Sequence, residues 1–169
     1  MTAEDMGVVL SIDLPALYRA HRLGFTRLAV LLVDDVPTAE DVVQDAFANL
    51  YRHQHRLRHA EAALSYLRAA VINGARSTLR RRGTARRYRY LTDPPAPPPE
   101  ADLQIAEEHR AVLAAVRTLP TRQREVVVLR YWSNLTEAEI AAAMGTSRGA
   151  VKSQASRALD KIAELLRDS

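Results

Sequence analysis

Apolar residues recur three and four positions apart along most of the chain, and no stretch alternates apolar and polar with a period of two. The pattern predicts helices and no strands. The first helix runs from about Leu14 to Val33, with Asp13 as N-cap and Pro15 tolerated in the first turn. Leu14, Leu17, Tyr18, His21, Phe25, Leu28 and Leu32 form its inward stripe. A second helix opens at Thr38, read as its N-cap, with Glu40 and Asp41 suiting the helix dipole. Val42, Val43, Ala46, Phe47, Leu50 and Tyr51 make its apolar face. A third extends from about Glu61 to Arg82, burying Leu64, Leu67, Val71, Ala75 and Leu79, and Gly83 is placed to stop it.

Beyond this point the pattern breaks. Thr92 to Pro99 reads Thr-Asp-Pro-Pro-Ala-Pro-Pro-Pro, which suits neither a helix nor a sheet interior and predicts an extended linker. Roughly 19 residues at about 3.1 Å each reach ~60 Å, nearly two turns of duplex DNA. The expected organisation is all-α, with two small helical domains at 11–83 and 104–168 joined by a Pro-rich acidic linker at 84–103.

In the second domain, Thr136-Glu137-Ala138-Glu139 is a capping box. A short helix follows to Met144, Gly145 supplies a tight turn, and Ser147 caps a helix from Arg148 to about Leu166. Val151, Ala155, Leu159, Ile162 and Leu166 are expected inside. Arg148, Lys152, Ser153, Ser156 and Arg157 are expected outside, near the start of the helix. Small Ala141 permits a close crossing, so the unit predicts a helix-turn-helix whose second helix reads a major groove. The plainer alternative is a helical hairpin with a solvated charged face. Box, small residue, glycine and polar second helix all fall in one register, which favours the DNA reader.

Charge distribution adds to this. Net charge is only +4, but Ala62 to Thr92 holds eight arginines and no acid, while Asp93 to Glu108 holds five acids and no lysine or arginine. Such a block suggests a surface that binds a polyanion, followed by a segment that avoids one or mimics one. The absence of cysteine excludes disulfides, thiolate metal sites and a cysteine nucleophile. His53, His55 and His59 lack acidic or thiolate companions, so they do not read as a zinc site. No glycine-rich phosphate loop or nucleophile motif is present, so neither an enzyme nor a cofactor is expected. Met1 to Leu10 does not read as a signal peptide, and the longest apolar run, Leu28 to Val33, is far short of the ~20 residues of a membrane span. A cytoplasmic location is expected.

The order of these segments resembles the sigma factors of bacterial RNA polymerase, in the short extracytoplasmic-function (ECF) class. Leu119-Pro120-Thr121-Arg122-Gln123-Arg124-Glu125-Val126, Leu129-Arg130-Tyr131 and the helix-turn-helix to Leu159 resemble sigma region 4. Ala39 to Phe47, Tyr66-Leu67-Arg68 to Asn73, and Leu79 to Arg82 resemble region 2. The resemblance implies promoter DNA and core RNA polymerase as partners, with no small-molecule substrate. Region 2 would dock on the clamp of the largest subunit through Val43, Gln44, Asp45 and Phe47. It would read the −10 element through Tyr66, Asn73, Arg76, Arg80 and Arg81, with phosphate contact extending over Arg82, Arg86, Arg87 and Arg89. Region 4 would read the −35 element through Arg148, Lys152, Ser153, Ser156 and Arg157, and rest on the flap of the second-largest subunit. The surfaces that dock polymerase are equally open to an inhibitory anti-sigma factor. Tyr66 and Tyr51 stand where the family usually has tryptophan, and both keep a flat amphipathic ring. Tyr131 and Trp132 are expected in the core. The rival reading is a polymerase-independent helix-turn-helix regulator.

Overall fold

A computed structural model describes the backbone of residues 12–89 and 107–168, and the side chains of 12–83 and 110–168. Seven α-helices carry the described chain: α1 Leu14–Val33, α2 Val36–His53, α3 Ala60–Arg89, α4 Glu107–Thr118, α5 Thr121–Tyr131, α6 Glu137–Met144 and α7 Arg148–Arg167. A 3-10 turn at Gln54–Arg56 links α2 to α3. No strand occurs among the described residues. The Pro-rich segment and most of the acidic block lie outside them.

Helices α1, α2 and α3 pack on one another around Leu32, Val43, Leu50, Leu67, Val71 and Ile72, all at most 2 % exposed. Asp13 caps α1 as expected, its carboxylate accepting from the Ala16 N–H at 3.0 Å. The start of α2 differs from expectation. Asp35, not Thr38, is the N-cap and accepts from the Thr38 N–H at 2.9 Å. Proline has no N–H to satisfy, so Pro37 fits the first turn and the helix begins three residues earlier.

Gly83 does not stop α3, which continues to Arg89. A glycine inside a helix costs only ~1 kcal/mol relative to alanine, and nothing lies within 4 Å of where a Cβ would stand. Gly74 has a packing reason instead. A Cβ there would meet Cγ1 of Val42 at 3.1 Å, so its absence lets α2 and α3 approach closely.

The second body is built on α5, whose Val126, Val127, Val128 and Leu129 are buried on successive positions because α4, α6 and α7 pack on it and α1 of the first body covers a further side. The capping box at α6 is complete. Glu139 Oε2 accepts from the Thr136 N–H at 2.8 Å, and Thr136 Oγ1 accepts from the Glu139 N–H at 3.2 Å. Gly145 closes α6 with φ +63°, in the left-handed region that favours glycine. Ser147 Oγ then accepts from the Ala150 N–H at 3.1 Å to open α7.

Several apolar expectations fail at the surface. Tyr51 is 63 % exposed, and Tyr131 and Trp132, expected in the core, are 53 % and 46 % exposed. Leu159 and Leu166 are also exposed, because α7 outruns the helices that cover it and Ala158 takes the inward position.

Burial pushes the Asp35 carboxyl up, but the Thr38 hydroxyl and amide and the Arg82 guanidinium outweigh it and hold the group below the usual aspartate range. A depressed folded-state pKa gives stability that is full above the unfolded value of about 4 and is lost as pH falls through the folded one. Asp35→Asn keeps a competent cap and removes only the charge. It should cost about 0.5–1 kcal/mol at pH 7, since Arg82 is 42 % exposed and partly screened. Thermal melts of the two proteins from pH 7 to pH 2 should converge at the acid end. A constant gap across that range would remove the ion pair as the cause.

Candidate nucleic-acid interface

The N-terminal half of helix α7 sorts its side chains by face. Val151, Ala155 and Ala158 are buried against the rest of the second body. Arg148, Lys152, Ser153, Ser156 and Arg157 are all exposed and recur at helical spacing on the opposite face. Two side-chain classes therefore stand on this face: cations able to donate to phosphate or guanine, and hydroxyls able to pair with either kind of base edge. The N-terminal half of the helix carries all five.

In the first body, α2 and α3 enclose an open groove of about 420 Å³. Tyr66, Asn73 and Arg81 line it together with Asn49, Ser77 and Thr78. These last three all bear hydrogen-bonding groups; Asn49 and Thr78 were missed in the sequence, and Ser77 stands where the family commonly has aspartate. The signal was there, since Ala70, Asn73, Gly74, Ser77 and Arg81 follow helical spacing along one face of α3. Tyr66 is half-buried, and its hydroxyl lies 3.4 Å from Nδ1 of His53. The same nitrogen lies 2.8 Å from the Asn49 carbonyl, which can only accept, so Nδ1 carries the hydrogen.

Arg76 is not on this groove. Its side chain is 13 % exposed and forks onto Glu125 of α5 with two contacts of 2.6 Å. Arg80 and Arg81 are exposed. Arg82 is engaged inside the first body, donating to the Val33 carbonyl at 3.1 Å, to Asp35 at 2.7 Å and to the Thr38 hydroxyl. It ties the end of α3 to the α1–α2 junction, which is a structural task. The side chains of Arg86, Arg87 and Arg89 lie outside the described residues.

The four residues assigned to polymerase docking separate in the same way. Val43 and Phe47 are 1 % and 6 % exposed; Phe47 stacks edge-on against Tyr18 and Phe25, so neither offers its side chain to a partner. Gln44 and Asp45 are exposed, because they sit on the outer face of α2. Asp45 and Arg81 line the same groove wall and also a second groove with Gln44. The docking and DNA-reading sets thus adjoin.

Both halves of the chain resemble known proteins. Residues 17–85 match sigma-70 region 2, and residues 109–162 match sigma-70 region 4. The chain is 34 % identical to an RNA polymerase sigma-E factor of Streptomyces coelicolor, over 95 % of this chain and 89 % of that protein. It is 33 % identical to the ECF sigma factor SigM of Mycobacterium tuberculosis, over 89 % of this chain and 75 % of that one. The chain belongs to the ECF sigma factors of bacterial RNA polymerase. Members are DNA-recognition subunits that bind core polymerase and direct promoter-specific initiation. Among solved structures, this sigma factor resembles RpoE of Bartonella quintana, crystallised with the anti-sigma factor NepR. The TM-score is 0.66 at 25 % identity, covering 91 % of each chain. No helix among the described residues is long and apolar enough to cross a membrane.

Proposed function

We propose that this sigma factor reads the −35 element as duplex through Arg148, Lys152, Ser153, Ser156 and Arg157 of α7. The −10 element lies in the α2–α3 groove, against Tyr66, Asn73 and Arg81, with Arg80 on backbone phosphate and Arg76 joining once it is released from Glu125. Gln44 and Asp45 dock on the largest subunit of core polymerase, with Val43 and Phe47 holding α2 in place beneath them. The second body rests on the flap of the second-largest subunit. Two independent bodies, at about 11–83 and 104–168, divide the promoter between them. The protein catalyses nothing itself and works in the cytoplasm, where its polymerase is.

The observation that carries this reading is the division of the N-terminal half of α7, with the five polar candidates exposed and Val151 and Ala155 buried. A docked recognition helix needs both faces at once. The decisive experiment is transcription in vitro with purified core enzyme. Specific initiation should appear only when core and the full chain are combined, and the chain alone should bind promoter DNA weakly. Tight binding to a palindromic site without polymerase would instead establish the free regulator.

A further inference from the structure

The geometry points to Asn49 as a base-reading residue of the α2–α3 groove, where its amide donor selects a keto base, guanine or thymine, at the −10 position stacked on Tyr66. The assignment rests on the −10 reading of this groove proposed above and adds a residue and a base class to it.

Three contacts across the groove fix its direction. Tyr66 meets His53, Gly74 lies against Val42, and Arg82 meets Thr38, so α2 and α3 run antiparallel. Asn49 therefore stands at the Tyr66 end of the groove. Arg81 stands at the other end, ~22 Å from Tyr66 along the helix at about 1.5 Å per residue. Between them the wall is small or apolar at Val42, Ala46, Ala70 and Gly74, which suits a flat ring.

The orientation of the Asn49 amide follows from its neighbour. Nη1 of Arg52, three residues on, donates to Oδ1 of Asn49 at 3.0 Å. A guanidinium can only donate, so the atom it meets is the carbonyl oxygen, and Nδ2 with its two hydrogens is turned away from Arg52. Among the described residues, Nδ2 meets no protein acceptor. The same spacing recurs on α3, where Nη1 of Arg76 lies 3.5 Å from Oδ1 of Asn73.

Tyr66 is held in a matching way. Nδ1 of His53 donates to the Asn49 carbonyl at 2.8 Å and lies 3.4 Å from the Tyr66 hydroxyl. Because Nδ1 carries a hydrogen it cannot accept one, so the Tyr66 O–H is left to donate elsewhere. The imidazole backs the Tyr66 ring at 6.2 Å between centroids. Tyr66 thus offers a platform for an unpaired base and a second donor beside it. Asp45, the carboxylate on this wall, lies one turn nearer to Arg81.

Two donors at one end of the groove match the exocyclic oxygen of guanine or thymine. Adenine and cytosine carry an amino group at the corresponding place, which would set donor against donor and leave both without an acceptor.

Transcription by the holoenzyme from a template library randomised across the −10 window, with the transcripts sequenced, reads this preference directly. One −10 position should favour guanine or thymine over adenine and cytosine by roughly tenfold. Asn49→Asp keeps a partner for Arg52 but replaces the donor with an acceptor, so the preference should reverse. Asn49→Ala should flatten it. Arg52→Leu frees the amide to turn either atom to the base and should shrink the preference, which Arg52→Lys, still a donor, should restore. Circular dichroism serves as the folding control for all four. A parent profile with no keto-selective position, or one unmoved by both Asn49 variants, would overturn the assignment. Tyr66→Ala separates the two levels. If it changes the profile while the Asn49 variants do not, the groove still reads the −10 element and Asn49 is removed from it. If none of the three changes the profile, the groove reading and the assignment are both lost.

Discussion

Replacing Arg148, Lys152 and Arg157 together with alanine should lower initiation from a promoter bearing both elements by roughly a hundredfold or more. Each exposed cation that reaches a base or phosphate contributes ~1–3 kcal/mol, and three at the lower bound already give that factor. Nothing in the fold should change, since all three are exposed and the helix is anchored by Val151, Ala155 and Ala158. The salt dependence separates the two kinds of interaction. Removing a cation that holds phosphate flattens the slope of binding against salt by about 0.9, whereas removing one that reads a base relaxes sequence preference at one position. Templates with and without the −35 sequence make the test. An equal loss on both would show that the three residues act elsewhere, and no loss on either would remove α7 as the reader.

The parts of this molecule that were legible in the sequence are those written in short-range chemistry. Thr136 and Glu139 are three residues apart, and their reciprocal bonds follow from helix geometry alone. Gly145 and Ser147 are equally local, since one adopts a backbone that other residues resist and the other caps the next turn. The outward set on α7 follows from its period. The same logic misled at Gly83, because a stop signal weighs only about 1 kcal/mol and the helix can run through it. It misled at Asp35 because two potential caps lay three residues apart and a proline between them suited the earlier one.

What was hidden depends on partners far away in the chain. Arg76 resembled its neighbours Arg80 and Arg81 in sequence, yet it faces the other body while Arg81 lines the groove. Glu125 sits in the middle of Arg122-Gln123-Arg124-Glu125-Val126, a segment that read only as family signature. Its burial became visible once α3 was placed against α5 and α6. The exposure of Tyr131, Trp132 and Leu159 was hidden for the converse reason. Periodicity says which residues could share a face, but only the ends of the packed helices decide how far that face is covered.

Ile140→Ala should disable the second body while sparing the first. Ile140 is 0 % exposed on α6, the helix that holds α7 in its crossing. Truncating a buried isoleucine to alanine costs ~2–5 kcal/mol. A body of this size has only about 3–9 kcal/mol to lose, at ~0.05–0.15 kcal/mol per residue. The midpoint of its unfolding should fall by roughly 10 °C or more, at about 4–8 °C per kcal/mol. Hydrogen exchange should then show protection lost across 107–168 and retained in α1, α2 and α3. Initiation should lose its dependence on the −35 sequence, while association with core polymerase through Gln44 and Asp45 persists. Leu50→Ala, a substitution at a 0 % exposed position near the C-terminal end of α2, should reverse that outcome and remove core binding altogether. If exchange protection fell equally in both halves of the Ile140→Ala chain, the two bodies would be one cooperative unit. The picture of separate readers on one promoter would then have to be given up.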